Sequence, residues 1–291
     1  MAAAGVAQPL STPIEQTSLP FARVPGMELL AELYRPRNAA DRLGRAVVMV
    51  HGGAWSIGDR LSMQHLAEEF AQRGMSVFAL DFRDGRNGKH PCAVADIAAG
   101  IRYVRANAKR LEVDPDHIGL VGSSSGGHLV LLTGIQPDVE AHRGTPFEMD
   151  GAFQDAPVSA RTSYVIALWP VSDPLFRFRY AQAVGRAELV AGHQSYYCDE
   201  RHMAQASVQR TLAAGEAQEL PPVAVVQPGA DANVPQEMTL QLVRAYQRAG
   251  GVLNYLFYPG LPHGFGHQPS PDTDRMFEDF WPFVERYSRG G

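Results

Sequence analysis

At 291 residues, 45% hydrophobic and 20% charged, the chain has apolar content enough for a large α/β domain and too much of it for general disorder. A net charge of −5 without a Lys/Arg cluster argues against a nucleic-acid partner, and no apolar run approaches the roughly 18 residues of a membrane span. The two cysteines, Cys92 and Cys198, stand far apart and read as inert thiols.

Residues 1 to about 16 are small, polar and proline-bearing and read as a flexible N-terminal arm. Their start lacks the basic segment and long apolar stretch of a signal peptide, so a cytoplasmic location is expected. Ala22 to Val24 and Met27 to Tyr34 predict two strands around a Pro25-Gly26 turn. Ala46 to Val50 is a short, wholly apolar run of the kind buried on both faces of a parallel sheet. Further strands are predicted at Ser76 to Phe82, Ile118 to Gly122, Tyr164 to Trp169, Val223 to Gln227 and Asn254 to Tyr258.

Helical spacing fills the gaps, as parallel crossovers require. Leu66 and Phe70 lie one turn apart; Ile97, Ile101 and Val104 share a face, as do Met238, Leu242 and Tyr246. Phe277, Phe280, Trp281 and Val284 form a last apolar face, with Pro282 a kink or an early helix position. Two stretches break this rhythm, around 136–162 and 171–220, and both read as cap-like insertions on a single domain spanning 17–291. Arg177 and Arg179 in the second read as a solvated surface pair, with a contact to a substrate carboxylate as the alternative.

The chemistry concentrates where a strand must stop and a helix must start within three residues. Gly122-Ser123-Ser124-Ser125-Gly126 fits a nucleophile elbow, which lifts one serine hydroxyl to the start of a helix. The same small-residue knot suits a phosphate-binding turn, but the Lys-Ser/Thr of a Walker-type loop and the Gly-x-Gly-x-x-Gly of a dinucleotide site are both missing. A serine hydroxyl needs a base, and that base needs an orienting acid. Asp231 follows one late strand and His263 the next, in the order Ser, Asp, His. His267 is a rival base and Asp173 a rival acid, since each also follows a strand end. After the Ala46 to Val50 strand, His51-Gly52-Gly53-Ala54-Trp55 offers backbone N–H donors for an oxyanion through Gly52 and Gly53, joined by Ser125.

Those four stretches, His51 to Trp55, Gly122 to His128, Asp231 to Pro235 and His263 to Phe265, together resemble the α/β-hydrolase superfamily. Within it they look like the hormone-sensitive-lipase-like and kynurenine-formamidase-like carboxylesterases. The resemblance implies an α/β-hydrolase fold with an eight-stranded, mostly parallel sheet flanked by helices and a lid or cap insertion. It also implies hydrolysis without metal or organic cofactor. Ala54 stands where lipase-like members usually have a third Gly, Ser125 where many have Ala, and Gln227 where a His-Gly start is frequent.

The expectation is a serine hydrolase acting on small carboxylic esters through an acyl-enzyme, with Ser124 as nucleophile, His263 as base and Asp231 as orienting acid. Small-molecule esters are the expected partners, and a homodimer is compatible with the sequence. An amidase or arylformamidase would use the same residues, and a hydrolase-fold binding protein without turnover is the alternative of another class.

Overall fold

The computed structural model describes residues 13–288. Its strands are β1 (Ile14–Val24), β2 (Met27–Pro36), β3 (Ala46–Val50), β4 (Ser76–Leu80), β5 (Ile118–Ser123), β6 (Phe147–Met149), β7 (Ala152–Gln154), β8 (Tyr164–Leu168), β9 (Val223–Pro228) and β10 (Leu253–Tyr258). The longer helices are α1 (Gln64–Gln72), α2 (Cys92–Ala106), α3 (Ala108–Leu111), α4 (Ser125–Ile135), α5 (Pro174–Ala183) and α6 (Ala187–Tyr196), followed by α7 (Glu200–Gln205), α8 (Val208–Ala213), α9 (Gln236–Arg248) and α10 (Pro271–Tyr287).

All strands join one sheet in the order β10-β9-β8-β5-β3-β4-β2-β1-β6-β7. From β10 to β4 the pairing is parallel, and from β4 outward it is antiparallel. The parallel strands β3, β4, β5, β8 and β9 are buried at every residue, because helices cover both faces. Side chains alternate between the two layers: Val48 and Val50 join the core with Ile97, Ile101, Leu129 and Leu242, whereas Val47 and Met49 join Leu66, Phe70, Phe277 and Trp281. Pro282 lies inside α10, past its first turns.

Two features depart from the sequence expectation. The sequence suggests an arm over residues 1 to about 16, but β1 already begins at Ile14 and pairs with β2 along its whole length. Its polar residues are used: Gln16 and Ser18 donate to the buried Glu32 carboxylate at 3.0 and 2.5 Å, and Arg60 donates to it from the other side. The earlier part of the arm lies outside the described residues. Among the described residues the sheet also has ten strands rather than eight. The extra pair, β6 and β7, comes from the 136–162 stretch, which extends the sheet beyond β1 instead of forming a cap-like insertion. Asp150 and Gly151 link the pair with φ of 55° and 83°, the conformation a tight hairpin demands.

The 171–220 stretch forms α5 to α8, a helical excursion between β8 and β9. It starts where Asp173 caps α5 by accepting the Phe176 N–H at 3.0 Å, with Pro174 in the first turn.

Candidate active site

Ser124 sits between β5 and α4 with φ 54° and ψ −118°, a backbone state that costs a non-glycine residue of order 1–3 kcal/mol and must be held from outside. The holding is visible. The Ser124 N–H donates to the Leu168 carbonyl at 2.8 Å, and the Ser124 carbonyl accepts from Val171 and His128, each at 3.1 Å. Gly126 provides the close approach: a Cβ there would lie 2.3 Å from the His51 carbonyl oxygen and 2.4 Å from that of Val50. Backbone on both sides leaves nothing to move. Gly126→Ala should therefore destabilise the fold by about 1–3 kcal/mol or more and depress activity with it, read by chemical denaturation alongside turnover. Wild-type stability in that variant would show that the elbow is looser than drawn.

His263, in the loop after β10, reaches Ser124 Oγ with Nε2 at 3.0 Å and Asp231 Oδ2 with Nδ1 at 2.8 Å. Asp231, in the loop after β9, is fixed in turn, since its Oδ1 accepts the N–H groups of Asn233 and Val234 at 2.8 Å each. A proton on Nδ1, donated to Asp231, leaves Nε2 as the acceptor for the serine hydroxyl. Such a chain can take a proton from the hydroxyl as it attacks.

The rivals fall elsewhere. His267 Nε2 meets Ser123 Oγ, not Ser124, at 3.1 Å; burial and the neighbouring His263 pull its pKa down to about 4. Asp173 is engaged as the α5 cap.

The loop after β3 wraps the elbow. Gly53 has φ 116°, and a Cβ there would strike the Ile57 carbonyl at 2.1 Å; a Cβ on Gly52 would come within 2.9 Å of the Ser123 carbonyl. Only glycine lets this backbone pass beside Ser124. Trp55 N–H donates to Ser125 Oγ at 3.3 Å, so the hydroxyl that replaces the frequent Ala ties the loop to the helix start. Among the described residues, no protein acceptor takes the N–H of Gly52, Gly53 or Ser125. Burial lowers the pKa of His51, whose ring stacks on Phe82 at 4.4 Å.

Trp55 carries this loop into the helical excursion. Its ring stacks on Tyr196 (6.2 Å) and meets His193 and Tyr197 edge-on at 5.0 and 5.3 Å. A cavity of about 620 Å³ opens between the loop and the excursion, with Gly53, Ser124 and His263 on one side and Arg177, Arg186 and Leu189 on the other. Arg177 departs from the sequence expectation of a surface pair, for it is 1% exposed, whereas Arg179 is exposed and pairs with Glu200. Among the described residues, no group of three or more His, Cys, Asp or Glu is arranged to hold a metal ion, and no helix is long and apolar enough to cross a membrane.

Residues 31–246 match the BD-FAE family model. The chain belongs to the BD-FAE family. Among curated proteins it is similar to the isoprenylcysteine alpha-carbonyl methylesterase ICME of Arabidopsis thaliana, 25% identical over 263 residues that cover 89% of this chain and 60% of the relative. It is also similar to the esterase LipC of Mycobacterium tuberculosis, 24% identical over 243 residues covering 81% of this chain and 57% of that one. The chain thus spans about 60% of the length of these curated relatives or a little less. Among solved structures, a thermophilic esterase of Thermogutta terrifontis, Est2, superposes with a TM-score of 0.72 at 27% identity, covering 92% of this chain and 91% of that one. This BD-FAE chain therefore has the α/β-hydrolase fold of esterases.

Proposed function

We propose that the protein is a serine carboxylesterase acting on small esters, and the observation that carries this reading is His263 bridging Ser124 and Asp231 at 3.0 and 2.8 Å. Ser124 Oγ attacks the ester carbonyl carbon while His263 Nε2 takes the hydroxyl proton. The carbonyl electron pair moves onto oxygen, where the Gly52, Gly53 and Ser125 N–H groups receive it; each such donor is worth about 10²–10³ in rate. Collapse breaks the bond to the alkoxide, which leaves with the proton from His263. Water then attacks the acyl-enzyme carbonyl, giving a proton to His263, and His263 passes that proton to Ser124 Oγ as the bond to the acyl carbon breaks and the acid is released.

Fold and site form a single domain in this reading, with the 171–220 excursion as the cap that shapes the pocket. The curated relatives that the chain resembles are named as esterases, which favours esters over amides. Two free cysteines, Cys92 and Cys198, suit a cytoplasmic setting.

A fluorophosphonate should form one adduct, on the peptide carrying Ser124, and should stop hydrolysis of p-nitrophenyl butyrate in step with labelling. Ester hydrolysis that survives full labelling, or labelling elsewhere, would overturn the assignment. Formanilide assayed in parallel separates an amidase, which would turn it over faster than the ester.

A further inference from the structure

Two arginines are each 1% exposed, and the contrast between them is informative. Arg102 spends every donor nitrogen on the protein: Nε on the Val158 carbonyl at 3.0 Å, Nη1 on that of His142 at 2.9 Å and Nη2 on that of Pro137 at 3.0 Å, with Asp138 alongside at 3.4 Å. It is a structural clamp. Arg177 is not. Its Nη1 donates to Asn233 Oδ1 and its Nε makes a long contact with His193 Nε2 at 3.4 Å, both uncharged partners, while Nη2 is buried with no partner. Among the described residues no carboxylate pairs with it. Asp231, hydrogen-bonded to His263, and Glu188, exposed at the cavity mouth on Arg186, act on it through space without a direct ion pair. Burial draws the Arg177 pKa down only to about 10, so it stays cationic at neutral pH.

A buried charge without a directly paired counter-ion is destabilising, and a fold gains nothing from one that an apolar residue could replace. This one lines the cavity that holds Ser124, beside Asn233 of the same loop as Asp231, with its guanidinium 5.6 Å from the Trp55 ring. Arg186 lines the same wall but is already paired with Glu188, which leaves Arg177 as the cation without a direct partner there. We infer that the cavity takes esters carrying a second, ionised carboxyl group, which Arg177 receives as the counter-ion the protein does not supply. A planar guanidinium matches a carboxylate, and the exclusion of water strengthens the pair. The inference rests on the esterase reading for the bond that is cleaved, and on Arg177 alone for the selectivity.

The test compares the monomethyl half-esters of succinate, glutarate and adipate with methyl pentanoate, following methanol release. The wild-type protein should prefer at least one half-ester by about tenfold or more in kcat/KM. Arg177→Met should abolish that preference, a loss of about tenfold or more carried largely through KM, with methyl pentanoate in the same sample as the internal reference. Arg177→Lys should keep part of it. Asn233→Asp guards against a misfolded Arg177 variant, because a carboxylate built beside the guanidinium should erase the preference with Arg177 in place. Equal or better use of methyl pentanoate by wild type, at all three lengths, overturns the inference and leaves the esterase reading standing. Should no ester be cleaved, the esterase reading falls, and calorimetry with free succinate, glutarate and adipate decides Arg177 separately. Saturable binding lost in Arg177→Met supports it, and no binding to wild type overturns it.

Discussion

Ser124→Ala should lower kcat for a short-chain ester by about 10⁵-fold or more while leaving the protein folded. The hydroxyl is the only group on the variant's side chain to be lost, and its hydrogen bond is to His263 at a site 7% exposed, so no packing is removed. His263→Ala should cost about as much as Ser124→Ala, and the double variant little more than either, because the two act as one unit. Asp231→Asn should be milder in mechanism yet still severe, about 10⁴-fold, since an amide can turn its NH₂ toward His263 Nδ1 and favour the wrong tautomer. Additive losses across Ser124 and His263 would mean that the two side chains do not work on the same proton.

Melting temperature should fall steeply as pH drops below about 6.5, the ordinary imidazole value. Six histidines drive this: burial pulls His90 and His193 down to about 3 and His128 and His267 down to about 4, and it lowers His51 and His142 as well. The like charge of Arg177 adds to the effect at His193, and that of His263 at His267. Between pH 6.5 and these lowered values the unfolded chain binds protons that the native chain does not, so stability is full above the window and is lost on descending through it. Each such proton contributes about 1.4 kcal/mol per pH unit, against a total stability typically of about 5–15 kcal/mol. His128→Gln should flatten the slope by about one proton; its ring is wholly buried, with Nε2 2.8 Å from the Ala206 carbonyl. A melting temperature constant from pH 7.5 to 5 would show that these rings titrate freely.

What could be read from the sequence was whatever has a local signature. The runs at β3, β5 and β9 are apolar at successive positions, and the elbow, the glycine loop and the two late loops each announce themselves within a few residues. The β6–β7 hairpin carries a signal in Asp150-Gly151, between Phe147-Glu148-Met149 and Ala152-Phe153-Gln154, that the irregular polar residues around it mask. The early part of β1 had almost none, because its polar residues become strand residues through a partner, Glu32, on another strand. Arg177 had none at all. Its burial is decided by His193 and Asn233, sixteen and fifty-six residues further on, and by the ring of Trp55.

Trp55 has a foot in two camps. It continues the glycine loop beside Ser124, yet its neighbours Tyr196, Tyr197 and His193 belong to the excursion after β8, and a Cβ added at Gly192 would come within 2.9 Å of the Ala54 Cβ. In the esterase proposed above, the excursion that would shape the pocket is thereby bolted to the loop that would hold the oxyanion. Transplanting this segment from a relative to change preference would jog the loop as well, so grafts should trade catalytic power for new selectivity unless position 55 and its aromatic sleeve travel together.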